Sequence, residues 1–217
     1  MGRAGFLRCT MAAQPTRRER ERQQHRREIL AVALDLFSRK GFEKTAMADI
    51  AEQAEFAVGT LYKLFEDKNA LYRALILDAV ERFTQALTAV LTTPGSELER
   101  LARYIETKAT LFAQNIPTAR LYFAQTTGAG FLPTAGLDQE ARAIYEKVLS
   151  MLEAVFRSGI RKKLIANIDP KMLVLGLEGL SNAFVFELIE RPDDLPAETM
   201  ADLSKTIFFE RIHLKGN

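Results

Sequence analysis

Apolar residues recur every three or four positions along almost the whole chain. That is the repeat of one buried stripe on an α-helix, and it does not fit the two-residue alternation of a half-buried strand. Ile29, Ala33, Leu36 and Phe37 make one stripe, with Leu30 and Leu34 beside it, and Gly41 is placed to stop the helix. From Lys68 to about Leu91, behind a capping Asp67, the set is Leu71, Leu75, Ala79, Phe83, Leu87 and Val90. TTPG at 92–95 breaks it. The period resumes over 96–114, 117–127, 137–164, 170–190 and 197–212, and TGAGFLPTAG (127–136) and RPDDLP (191–196) read as loops. The pattern predicts an all-α protein of about nine helices, without strands or internal repeats.

The 217 residues, 47% hydrophobic and 27% charged, suffice for one or two packed units and exclude a disordered chain. Charge is unevenly placed. Residues 1–27 hold eight arginines (Arg3, Arg8, Arg17, Arg18, Arg20, Arg22, Arg26, Arg27) against Glu19 and Glu21, a local net of +6, so the rest of this +2 chain is net −4. A basic arm on a mildly acidic body points to a polyanion met at one end, with a solvated tail as the plain alternative. The single cysteine, Cys9, allows no internal disulfide and fits a reducing compartment. No signal-peptide run opens the chain, and no stretch reads as the roughly 20 apolar residues of a membrane span, so a cytoplasmic protein is expected. Met11 offers a second start.

Residues 45–68, TAMADIAEQAEFAVGTLYKLFEDK, read as two short amphipathic helices joined by a tight turn. The first would begin at Thr45, whose hydroxyl can cap free amides, and bury Met47, Ile50, Ala51 and Ala54. The second, Val58 to Phe65, would seat Leu61 and Phe65 inward and turn Gly59, Thr60, Tyr62 and Lys63 outward. Outward donors, a cation and an aromatic ring suit a groove floored with base edges and walled with phosphate. The unit is a helix-turn-helix reader of double-stranded DNA.

Phe37, Gly41, Phe42, Thr45, Asp49-Ile50-Ala51, Ala54, Gly59-Thr60-Leu61-Tyr62, Phe65, Lys68 and Leu71 stand at the spacing of the DNA-binding domain of the TetR family of bacterial transcriptional regulators, which the chain resembles over about 45 residues. The resemblance implies a basic, disordered arm over 1–21, a three-helix DNA-binding domain over 22–67 and an effector-binding, dimerising helical bundle over 68–217. It also implies a homodimeric repressor that binds a pseudo-palindromic operator through two recognition helices and is released by a small-molecule effector, which swings the helix starting at Lys68. In the family register Thr45, Ala46, Val58, Gly59, Thr60, Tyr62, Lys63 and Lys68 face DNA. Four positions depart from the pattern. Glu55 stands where a turn glycine is common, Ala57 and Val58 where Ser and a basic residue are frequent, and Leu64 where His is frequent. With fewer polar groups on the reading helix, Lys63, Lys68 and the arm carry more of the electrostatic attraction.

Phe83, Tyr104, Phe112, Phe123 and Phe156 are candidate walls of an effector pocket, each competing with a plain core role at helical spacing. Arg120, among apolar neighbours, either meets an anionic effector or pairs with Glu106 or Glu146. MLVLGLEGLSNAFVFELI and TIFFERI are apolar enough for a four-helix dimer seam built on Gly176, Gly179, Phe184, Phe186, Phe208 and Phe209, with Glu178 and Glu187 at its edge. An enzyme finds little support: both histidines lie near the ends, and there is no metal-ligand spacing, nucleophile motif or phosphate loop. No cofactor is expected, and a dimeric DNA-binding scaffold without an effector is the other alternative.

Overall fold

The computed structural model describes residues 16–124, 137–191 and 196–212. All regular structure in them is helical: α1 (Arg17–Lys40), α2 (Met47–Gln53), α3 (Val58–Leu64), α4 (Lys68–Thr92), α5 (Glu97–Gln114), α6 (Ile116–Ala124), α7 (Gln139–Arg161), α8 (Pro170–Glu190) and α9 (Ala197–Ile212). The expected all-α class and number of helices are found among the described residues. Of the two long loops, 127–136 and most of 191–196 lie outside them.

The first correction concerns the arm. Residues 17–21 form the opening turn of α1, closed by a capping box in which Thr16 Oγ1 accepts the Glu19 amide at 3.3 Å and the Glu19 carboxylate accepts the Thr16 amide at 2.6 Å. An Arg17–Glu21 pair at 2.7 Å continues it. Caps and charge pairs extend a helix without an apolar stripe, so periodicity alone missed these turns. Residues 1–15, including Cys9, lie outside the described residues.

A second correction concerns Thr45. It is 1% exposed, and its hydroxyl donates back to the Gly41 carbonyl at 2.9 Å, closing the turn after α1. The cap of α2 is Ala46, whose amide is accepted by Asp49 at 3.1 Å. Glu55 takes the left-handed geometry that the family usually gives to glycine, with φ +60°. That costs about 1 kcal/mol. The turn is a Schellman closure: the Phe56 amide donates to the Ala51 carbonyl at 2.9 Å and the Glu55 amide to Glu52 at 3.1 Å. Phe56 then packs on the His25 ring of α1, 4.9 Å between centroids.

Two apolar cores organise the chain. One joins Ile29, Phe37, Ile50, Leu61 and Phe65 of the first three helices to Leu71, Leu75 and Ile76 of α4, and to Leu121 and Tyr145 beyond. The other is built from α4, α5, α7, α8 and α9 around Leu87, Leu101, Leu152, Phe156 and Leu177. The first turns of α4 therefore belong to the core of the N-terminal helices. Glu97, 1% exposed, ties α5 to α7 by accepting Lys162 Nζ at 2.7 Å and Ser158 Oγ at 2.8 Å. The Lys162 hydrogen bond holds its carboxyl down at about 2. A lowered carboxyl stabilises the fold above the usual carboxylate range, so this tie is lost only as pH falls through about 2.

One stretch does approach the apolar length of a membrane span, contrary to expectation, but it is a helix of the core and not a span. By length and composition α8 would qualify, with a mean hydropathy of 1.6. A charged residue, Glu178, interrupts the run without lowering its average enough.

Candidate functional site

On α3, Leu61 is fully buried, whereas Val58, Gly59, Tyr62 and Lys63 are exposed and Thr60 is half-buried. Tyr62 is 53% exposed, too much for a core ring. A Cβ placed on Gly59 would meet nothing within 4 Å, so the chain's own packing does not require glycine there. Ala46 is exposed at the start of α2. Arg26 of α1 lies over the Phe65 ring at 5.8 Å, which brings the basic end of α1 against the end of α3.

Two of the predicted DNA-facing residues are committed inside the protein. Thr45 is buried as described. Lys68 Nζ donates to the carbonyls of Phe42 at 2.8 Å and Glu43 at 3.4 Å and stands 4.4 Å over the Phe42 ring. Its charge holds the α1–α2 connection to the start of α4.

A cavity of about 90 Å³ lies between α4, α5, α6, α7 and α8. Phe83, Phe112 and Phe123 line it as expected, joined by Tyr122, Tyr145 and Asn182. Phe83 packs against Phe112 at 4.9 Å and stacks on Tyr145 at 6.3 Å. Three expectations fail here. Phe156 is fully buried in the second core, against Phe208. Tyr104 is also fully buried, and its hydroxyl donates to Glu178. Arg120 is exposed and donates to the Ile189 carbonyl at 2.8 Å, capping the end of α8 away from the cavity.

Glu178 was expected at the edge of a seam and is instead wholly buried. It accepts Tyr104, Tyr145 and Lys108, each at 2.7 Å. Burial, reinforced by the carboxylate charge, pushes both tyrosine hydroxyls well above their usual range, so they stay neutral donors. Lys108, a cation between apolar turns of α5, meets its partner 70 residues away in the chain.

The expected seam residues divide. Phe208 is 8% exposed and packs on Phe156 at 5.8 Å, Phe186 packs on Phe123 at 4.4 Å, and Phe184 and Phe209 are half-buried against the second core. These rings pack within the chain itself. Gly176 is exposed and Gly179 half-buried, with nothing within 4 Å of a Cβ on Gly179. Beside them Met172 is 60% exposed, Leu175 45% and Ile207 51%, with Leu203 also exposed, which makes an apolar face over α8 and α9 that the expected seam residues did not include.

A short solvent-facing helix, set by a tight turn against two others and carried on a body of long helices, defines a helix-turn-helix DNA-binding transcriptional regulator. The family described as "Bacterial regulatory proteins, tetR family" matches residues 29–75. The HTH-type transcriptional regulator RutR of Escherichia coli (strain K12) is 24% identical over 186 residues, 86% of this chain and 84% of the relative. Among solved structures, the fatty acid degradation regulator FadR from Bacillus halodurans has a TM-score of 0.74 at 14% identity, covering 86% of this chain and 95% of that one. A transcriptional regulator from Saccharomonospora viridis, solved in complex with choline, has a TM-score of 0.73 at 18% identity, covering 89% and 100%. Residues 29–75 are thus matched by the DNA-binding domain of the TetR family, and the chain as a whole shares the fold of TetR-family structures.

Proposed function

We propose that the protein is a homodimeric TetR-type repressor that leaves a pseudo-palindromic operator when a small molecule occupies the α4–α8 cavity. Residues 22–67 would form the reading unit, extended by the basic turns of α1, and 68–217 the sensing and dimerising unit. Ala46, Val58, Gly59, Thr60, Tyr62 and Lys63 would meet DNA, the bare backbone at Gly59 allowing a phosphate close approach.

The observation that carries the reading is the double role of α6. Tyr122 and Phe123 wall the cavity, while Leu121 beside them packs into the core of the N-terminal helices and accepts the Tyr72 hydroxyl of α4 on its carbonyl at 3.3 Å. A ligand that displaces α6 therefore moves the base of the DNA-reading unit. Operator affinity falls by the ligand's preference for the displaced state. The choline complex of the Saccharomonospora viridis regulator supports a ligand-binding role for this fold.

Titration of duplex DNA by fluorescence anisotropy tests the reading face. Lys63→Ala should weaken operator and random DNA alike and reduce the salt slope by about 0.9. Thr60→Ala and Tyr62→Ala should instead cost the operator about 1–3 kcal/mol relative to random DNA. Operator affinity intact in all three would mean that α3 is not the reader.

The coupling has its own variant. Tyr72→Phe should keep operator affinity and reduce effector-induced release by about fivefold, the worth of one hydrogen bond. Unchanged release would take α6 out of the signal path.

A further inference from the structure

Among the described residues, the cavity has an unspent polar group and no ionised wall. Its ionisable residues are the phenols Tyr122 and Tyr145, and burial holds the Tyr122 hydroxyl up at about 12. Asn182 is 4% exposed, lines the cavity, and makes no hydrogen bond with any described residue. The amide is not sealed off but opens on the cavity, so its hydrogen bonds are left to whatever enters from outside, water or ligand. The buried charges nearby are closed to such a group, and Arg142, which acts on Tyr122 from the exposed side of α7, has an interaction of its own. Glu178, one turn earlier on α8, already takes three donors at 2.7 Å, and Lys108 spends its ammonium on that carboxylate. A charged ligand would lose its water here without gaining a counter-ion.

Resting on the effector reading above, we infer that this cavity selects an uncharged aromatic ligand of about one ring that carries an adjacent donor and acceptor, such as a primary carboxamide, paired with Asn182. The ring lies among Phe83, Phe112, Phe123 and Tyr145, whose edges and faces favour offset or tilted contact with another ring. Asn182 offers an N–H and a carbonyl oxygen on one planar group, so a carboxamide meets it with two hydrogen bonds and a carboxylate with one.

The test uses the full chain, calorimetry and thermal shift, with four probes of nearly equal size: benzamide, toluene, benzoate and benzyltrimethylammonium. Benzamide should bind about tenfold more tightly than the other three, the usual cost of leaving a buried polar group unpaired. Asn182→Leu should erase the preference of benzamide over toluene, and Asn182→Ala should do the same without adding bulk, which separates loss of the amide from a packing fault. Benzoate or the quaternary cation binding as well as benzamide overturns the inference. So does a benzamide preference that survives both substitutions, or no binding by any probe. Operator affinity measured alongside keeps the two readings apart: Asn182-dependent binding with unchanged operator affinity leaves the ligand selectivity standing and removes the effector role.

Discussion

Lys108→Met should lower the free energy of unfolding by about 3–5 kcal/mol, a large share of the roughly 5–15 kcal/mol that holds a typical domain together. The variant keeps the length of the side chain and removes its charge, leaving Glu178, which is 0% exposed, with two phenol donors and no counter-ion. In a low-dielectric interior an uncompensated carboxylate is far costlier than the pair is beneficial. Lys108→Met combined with Glu178→Leu should therefore recover much of the loss, whereas a sum of two independent contacts would predict a further fall. Tyr104→Phe, which removes one donor of three, should cost about 1–3 kcal/mol. Because the tyrosine hydroxyls are pushed upward, their contribution is intact below their ordinary value of 10 and is lost only as pH rises beyond it. Urea titrations at one fixed protein concentration provide the measurement, since association would otherwise enter the result. A cost under about 1 kcal/mol for Lys108→Met would mean that water reaches Glu178. Tyr145 joins this network to the cavity wall, so the same variant should also loosen ligand binding.

What could be read from residues alone depended on how far away each partner lay. Leu61 and Phe65 show the buried face of α3 because their spacing is local, and the outward set follows by elimination. Thr45 could not be settled that way: a hydroxyl at a helix start can cap forward or donate backward, and the position of Gly41 decides it. Lys68 looked like a free cation because its acceptors are the carbonyls of Phe42 and Glu43, groups that no side-chain pattern reports. Arg120 was misplaced for the same reason, its acceptor being the Ile189 carbonyl at the end of α8. The aromatic walls Phe83, Phe112 and Phe123 were found by residue type, yet Tyr104 and Phe156 satisfied the same criterion and belong to the core. Helix α8 defeats periodicity altogether. Leu173, Val174, Leu177, Val185 and Leu188 point inward while Met172 and Leu175 point out, so a helix apolar all round has no face that its spacing can identify.

That outward face sets the other large effect. Leu175→Glu should convert the proposed dimer to monomers and weaken operator binding by about a thousandfold or more, toward the level of non-specific DNA, because a single half-site retains little of the specific affinity. Only 39% of the most apolar stretch of α8 is buried within the chain, although its mean hydropathy is 1.6, and Met172, Leu175, Leu203 and Ile207 continue the exposed surface across α9. A patch of this kind on a protein that reads DNA calls for a cover, and a second copy supplies one with the two-fold symmetry that a palindromic operator demands. Leu175 is 45% exposed, so glutamate there should leave the protomer folded, which circular dichroism and an unchanged weak affinity for random DNA would verify. Leu175→Met, equally apolar, should remain dimeric. At Phe208 glutamate would instead disrupt the core around Phe156, so loss of binding there would say nothing about association. Sedimentation of the Leu175→Glu protein as an intact dimer with full operator affinity would place the seam on another face of the bundle.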